Sequence, residues 1–173
     1  MKRMSYPIAG IIFFFGFLLQ TTALWRVPVF GYSANLTLCL IVTFTNLYKR
    51  EYALIYGMVF GILLDVTTQQ YVGAQSISFL IIYLLIRYIG DIFDHEKVLP
   101  ELAFSFGATL INGFMVWLIY KIGGSPIPIT LMLVSLPPVV FLNGVTVFLL
   151  HILLVRSIIR HHRDRKFNGG SYL

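Results

Sequence analysis

Apolar residues run along this chain in long blocks separated by short polar turns, and the length of each block sets the expected architecture. From the runs and their breakers, we place six helical spans: Tyr6 to Leu24, Ala34 to Tyr48, Tyr52 to Val66, Gly73 to Gly90, Leu102 to Tyr120 and Pro137 to Ser157. A bilayer core takes roughly 20 apolar residues per helix, so the second and third spans are short. The link Lys49-Arg50-Glu51 makes them an antiparallel hairpin. Both are expected to tilt little, or to cover protein instead of lipid on one side. The segment from Ile122 to Leu136 opens with glycines and prolines and then turns apolar, too short to span a membrane. It is expected at the interface or against a partner, with Pro137-Pro138 in the first turn of the last helix, where a missing N–H costs least.

Composition turns this pattern into a class. The 173 residues are 58% hydrophobic and 12% charged, and the mean hydropathy is +0.83. That is too few charges to cover a soluble surface. The expectation is an all-α integral membrane protein: a six-helix transmembrane domain over residues 1–160 and a basic tail over 161–173. The first span is long enough to cross, and no small-residue cleavage site precedes Trp25-Arg26, so it is expected to be retained. With both termini on one side, that side receives eleven of the 13 basic residues, leaving Arg26 and Lys121 opposite. The positive-inside rule then makes both termini cytoplasmic. The basic run from Arg160 to Lys166 directly follows a span, which favours anionic lipid at the cytoplasmic face over nucleic acid. His161 and His162 lack the spacing of metal ligands. Cys39 is the single cysteine and sits in an apolar run, where it reads as a small core residue.

Polar residues inside the spans are few enough to weigh one by one. Gln20, Thr21 and Thr22 end the first span, Asn35 opens the second, Asn112-Gly113 lies in the fifth and Asn143-Gly144 in the last. Each is suited to bonding another helix, and the repeated Asn-Gly pair suggests that the last two helices meet through small backbones with amide cross-links. Asn46 is expected to reach headgroups. Gly57, Gly61 and Asp65 recur every four residues and share one helix face. The glycines would admit another helix, while Asp65 would accept bonds from a partner or from Arg26, or simply end its helix at the outer headgroup level. No second buried acid or histidine is expected to accompany it in a proton path. Asp91, Asp94, Glu96 and Glu101 gather around the loop before the fifth helix and read as a solvated turn with capping residues, although such a loop would also suit a basic partner. His95, His151, His161 and His162 fall at or near the cytoplasmic side with no nucleophile or metal-ligand pattern beside them, so neither catalysis nor a cofactor is assigned.

The pattern Gly57-x-x-x-Gly61-x-Leu63-Leu64-Asp65, followed by Gly73 and an apolar helix containing Tyr83-Leu84, resembles the signature region of the rod shape-determining MreD family. Leu18-Leu19-Gln20-Thr21, the turn Phe30-Gly31, the chain length and the six-span layout are similar as well. Where that family often opens its second helix with Pro-Asp, this chain has Ala34-Asn35, losing a carboxylate but keeping a hydrogen-bonding side chain. The resemblance implies a non-enzymatic inner-membrane subunit of the bacterial elongation machinery. It implies binding to an MreC-like protein and action with MreB and with RodA and its penicillin-binding partner in lateral peptidoglycan synthesis. It also implies a fold similar to the substrate-binding subunits of small vitamin transporters, which supply a second functional class. Ala9 and Ala23 lack the Ala-x-x-x-Ala spacing of those subunits. A ligand pocket would further require Gln20, Asn35, Asp65, Asn112 and Asn143 to converge beneath the outer loops.

Overall fold

The computed structural model describes residues 6–24, 28, 31–48, 51–68, 72–90 and 97–168, with side chains as far as Leu154. Six helices follow one another, with no strand element among the described residues. They are α1 (Tyr6–Leu19), continued by a π-helical turn (Gln20–Leu24), α2 (Leu36–Tyr48), α3 (Tyr52–Thr68), α4 (Ala74–Gly90), α5 (Val98–Ile122) and α6 (Ile129–Asn168). Three stretches are long and apolar enough to cross a membrane: Tyr6–Ala23, Val98–Ile122 and Ile129–Leu154. The helices α2, α3 and α4 are shorter apolar helices of 13, 17 and 17 residues.

The short α2 is the hub. At about 1.5 Å per residue it is only ~20 Å long, well under the ~30 Å of a hydrocarbon core. Yet every residue from Thr37 to Asn46 is buried, because α2 packs against all five other helices. Surrounded by protein, it does not need the length of a lipid-facing helix. By contrast α3 is two-faced, with Ile55, Val59, Ile62 and Val66 exposed opposite a buried face.

That buried face of α3 carries Gly57, Gly61 and Asp65. A Cβ on Gly57 would lie 2.8 Å from Ile41 of α2, and one on Gly61 would lie 2.9 Å from Ser76 Oγ and 3.1 Å from the Ser76 Cα of α4. The groove that these glycines open is filled by the chain's own helices. On α1, Gly16 does the same for Leu40, whose side chain would lie 2.6 Å from an added Cβ. Next to it, Phe13 is fully buried and meets Phe44 edge-on at 5.4 Å and Phe60 in a stack at 6.2 Å. Aromatic rings thus fill the volume among α1, α2 and α3.

The ends of the chain's second half differ from the sequence reading. The fifth helix starts at Val98, with Pro100 in its first turn, where proline is tolerated. The sixth starts at Ile129, so the segment expected to lie along the interface is largely the first two turns of a helix, and Pro137 and Pro138 lie inside it. The actual break is Gly123 to Pro128, where Gly124 adopts a left-handed conformation (φ 85°). Trp117 Nε1 donates to the Ile127 carbonyl at 3.2 Å and fastens this connection to α5. Helix α6 also continues through the basic run to Asn168.

Two glycine substitutions separate packing from helix propensity. Gly61→Leu is expected to overfill the α3–α4 contact, where the nearest obstacle includes backbone, and to cost about 1–3 kcal/mol. Gly144, with nothing within 4 Å of an added Cβ, is expected to accept alanine with a gain of up to ~1 kcal/mol. Thermal unfolding of the detergent-purified protein measures both; equal effects from the two would refute the packing assignment.

Candidate functional site

A helix starting in an apolar interior needs acceptors for its first N–H groups. For α2 these come from two side chains. Asn35 is the N-cap, its Oδ1 accepting from Leu38 N at 3.0 Å. Gln20, turned inward by the π-helical turn, accepts from Thr37 N at 2.9 Å and from the Thr37 hydroxyl at 3.1 Å through Oε1. Since both oxygens are committed to backbone donors, the orientation of each amide follows. Gln20 Nε2 donates to Asn35 Oδ1 at 3.3 Å, and Asn35 Nδ2 donates to Gln75 Oε1 at 3.4 Å.

From α6, Asn143 enters the same network. Its Oδ1 accepts from the backbone N of Asn35 at 2.8 Å and its Nδ2 donates to Thr109 Oγ1 of α5 at 3.0 Å; the Thr109 hydroxyl in turn donates to the Ser105 carbonyl at 2.8 Å. The lone thiol, Cys39, is 1% exposed, with Sγ 3.7 Å from the Asn143 carbonyl. Asn112 of α5 lies alongside and accepts from Ser78 Oγ of α4 at 2.8 Å. The two Asn-Gly pairs therefore do form cross-links, but to the Asn35 backbone at the start of α2, to Ser78 of α4 and to the Thr109 hydroxyl of α5, not to each other, and Gly144 faces open space.

Asp65 is fully buried and serves the neighbouring helix α4. Its carboxylate accepts from Gly73 N at 2.9 Å, from Gln75 N at 3.0 and 3.1 Å, and from Ser76 N at 3.5 Å. A negative group at a helix N-terminus is also favoured by the macrodipole. Gly73 makes the approach possible, with a left-handed φ of 104° in the turn before α4. Arg26, considered from sequence as a partner for Asp65, lies outside the described residues.

Over this network opens a cleft of about 420 Å³ between α5 and the first half of α6. Asn35, Gln75, Asn112 and Asn143 lie on its polar side; Trp117, Tyr120, Leu131 and Leu136 are among its apolar walls. Gln20, Asn35 and Asn143 thus converge directly, Asp65 joins through Gln75, and Asn112 shares the cleft.

A second polar cluster lies toward the other end of the bundle, and sequence reasoning missed it. Glu101 is fully buried and is not in a solvated turn; His151 Nδ1 lies 2.6 Å from its Oε2, and Asn46 Nδ2 donates to the same oxygen at 3.5 Å. The Thr43 hydroxyl faces the carboxyl without meeting hydrogen-bond geometry. Asn46, expected to reach headgroups, is 1% exposed. The chain therefore does hold a second buried acid and a buried histidine, joining α2, α5 and α6. The signal was present in Leu149-Leu150-His151-Ile152-Leu153-Leu154, where an ionisable side chain in an unbroken apolar run requires a partner. The other acids of that loop, Asp91, Asp94 and Glu96, lie outside the described residues.

Both clusters yield measurable expectations. Asp65→Asn keeps an acceptor for α4, while Asp65→Leu strands several N–H groups and is expected to be less stable than the Asn variant by about 1–3 kcal/mol. His151→Leu leaves the buried Glu101 carboxyl with only the longer Asn46 bond, at an expected cost of about 3–5 kcal/mol, and adding Glu101→Met should recover more than half. Thermal or denaturant unfolding in detergent reads these differences; additive losses in the double variant would show that the pair is not coupled.

Comparison with known proteins gives one match. The model of the family described as rod shape-determining protein MreD matches residues 1–160. No curated protein and no solved structure matches the chain, so the expected likeness to vitamin-transporter subunits has no solved structure behind it.

Proposed function

The chain belongs to the rod shape-determining protein MreD family, and we propose that it serves cell shape as a non-enzymatic inner-membrane subunit of the elongation machinery. It binds an MreC-like membrane protein and supports lateral peptidoglycan synthesis together with MreB and with RodA and its penicillin-binding partner. The observation that carries this reading is the family match over residues 1–160, which runs from α1 through most of α6. Two features support it. The interior amides and carboxylates are bonded chiefly to one another and to helix ends, as suits a subunit whose polar groups hold its helices together. The outward faces of α1 and α6 present Ile11, Phe15, Phe141 and Leu153, side chains suited to lipid or to a partner's transmembrane helix.

In this reading Gly57, Gly61 and Asp65 assemble the subunit that partners recognise and do not themselves touch a partner, since α2 and α4 already cover them. Both termini lie in the cytoplasm, where the basic end of α6 meets anionic lipid.

Expression in a rod-shaped bacterium depleted of its own family member tests the proposal. The full chain is expected to restore rods and to co-purify with the MreC-like protein, whereas Gly61→Leu, by disturbing the fold, should lose both. Spherical cells despite normal membrane abundance of the unmodified chain, or purification free of the MreC-like protein, would overturn it.

A further inference from the structure

The amide network leaves one donor unspent at the cleft. Leu38 N fixes Asn35 Oδ1 as an acceptor, so Asn35 Nδ2 must donate, and Gln75 Oε1 receives it. The orientation of Gln75 is thereby set, with Nε2 as the remaining group. Among the described residues, no hydrogen bond satisfies that nitrogen, although Gln75 is only 8% exposed and lines the cleft. The nitrogen is accessible from the cleft, where an acceptor brought by a ligand can meet it. The amide of Asn112, whose oxygen is engaged by Ser78, lies on the same wall.

Around these donors the cleft carries no charged side chain, and away from its amide-lined side the surfaces are mainly aromatic and aliphatic, with hydroxyls from Thr109, Tyr120 and Ser135. A volume of about 420 Å³ falls in the range of small-molecule sites. Its position, at the end of the bundle where α2 and α4 begin and α5 ends, puts it at the level of the predicted outer leaflet, open alongside α5 and α6. With no cationic group to offset its desolvation, an anionic head would be poorly held. A cationic head would bring donors to a wall that already offers donors.

We propose that this cleft binds an amphiphile whose uncharged, oxygen-bearing head accepts hydrogen bonds from Gln75 Nε2 and the Asn112 amide, and whose apolar chain lies along α6 beside Leu131. A lipid taken from the bilayer and an amphiphile acquired from outside share this chemistry. Native mass spectrometry of the purified, unmodified chain distinguishes them, since the first is seen as mass already bound and the second only after addition.

Trp117 reports occupancy. In a Trp25→Phe background it is the chain's only tryptophan, and a brominated acyl chain in the cleft quenches it. Titration of the micelle-embedded protein with dibromostearoyl glycerol is expected to give saturable quenching, and dibromostearyl amine, with the same chain and a cationic head, at least tenfold weaker binding. Gln75→Glu keeps the oxygen that Asn35 needs but turns an acceptor toward the ligand, so affinity should fall at least tenfold. Ser135→Phe, placed on the cleft wall away from the amide network, should do the same by filling the space. Unsaturable quenching that is equal for both amphiphiles and unchanged in the two variants would mean partition into the micelle and would overturn the proposal. So would the absence of quenching in folded protein, which would leave the cleft to a partner's helix.

Discussion

The beginnings of α2 and α4 govern this molecule. Both helices start among other helices, where water cannot satisfy their leading N–H groups. The acceptors are therefore side chains held by other segments: Gln20 from the end of α1, Asn35 from the connection, and Asp65 from the end of α3. Each cap is also a tertiary tie. Fixing the start of α2 fixes α1 against it, and fixing the start of α4 closes the α3–α4 turn. Secondary and tertiary structure are thus specified by the same few bonds, in surroundings where apolar burial does little to distinguish one helix contact from another.

Division of labour among the helices follows. A central helix as short as α2 is workable only because its neighbours shield it from lipid, and the long apolar helices α1, α5 and α6 supply much of the outer surface. The helix α2 carries both polar clusters, with Asn35 at one end and Asn46 near the other. Its apolar middle, from Leu38 to Val42, separates them. Each cluster draws on α5 and α6 as well, so the two ends of the bundle are pinned independently.

Much of this was legible in the chain. The first four helices lie within a few residues of their expected limits, because polar or glycine-containing turns separate compact apolar runs. The face shared by Gly57, Gly61 and Asp65 was legible from spacing alone, since a four-residue repeat has one meaning on a helix. What lies against that face was not, because it depends on which helices are neighbours. The same gap hid Glu101, His151 and Asn46: each fitted a solvated loop or a membrane interface when taken alone, and only the adjacency of α2, α5 and α6 makes them a cluster. The start of α6 was misread for a different reason. Proline in a first turn is the commoner arrangement, and only the break at Gly123 to Pro128 shows that the helix is already under way when it reaches Pro137. The cleft was legible only as a condition, that several amides converge. The unspent donor on Gln75 lies one step further, because amide orientation is a property of the assembled network.

One quiet residue has a practical consequence. Cys39 is shut inside α2 against the Asn143 backbone and is the only thiol in the chain. Thiol reagents act on accessible thiolates, so the native protein is chemically silent toward them while it stays folded. Any cysteine introduced on a loop or an outer face will therefore report its own exposure without background, and reactivity at Cys39 itself becomes a readout of whether the helices have come apart.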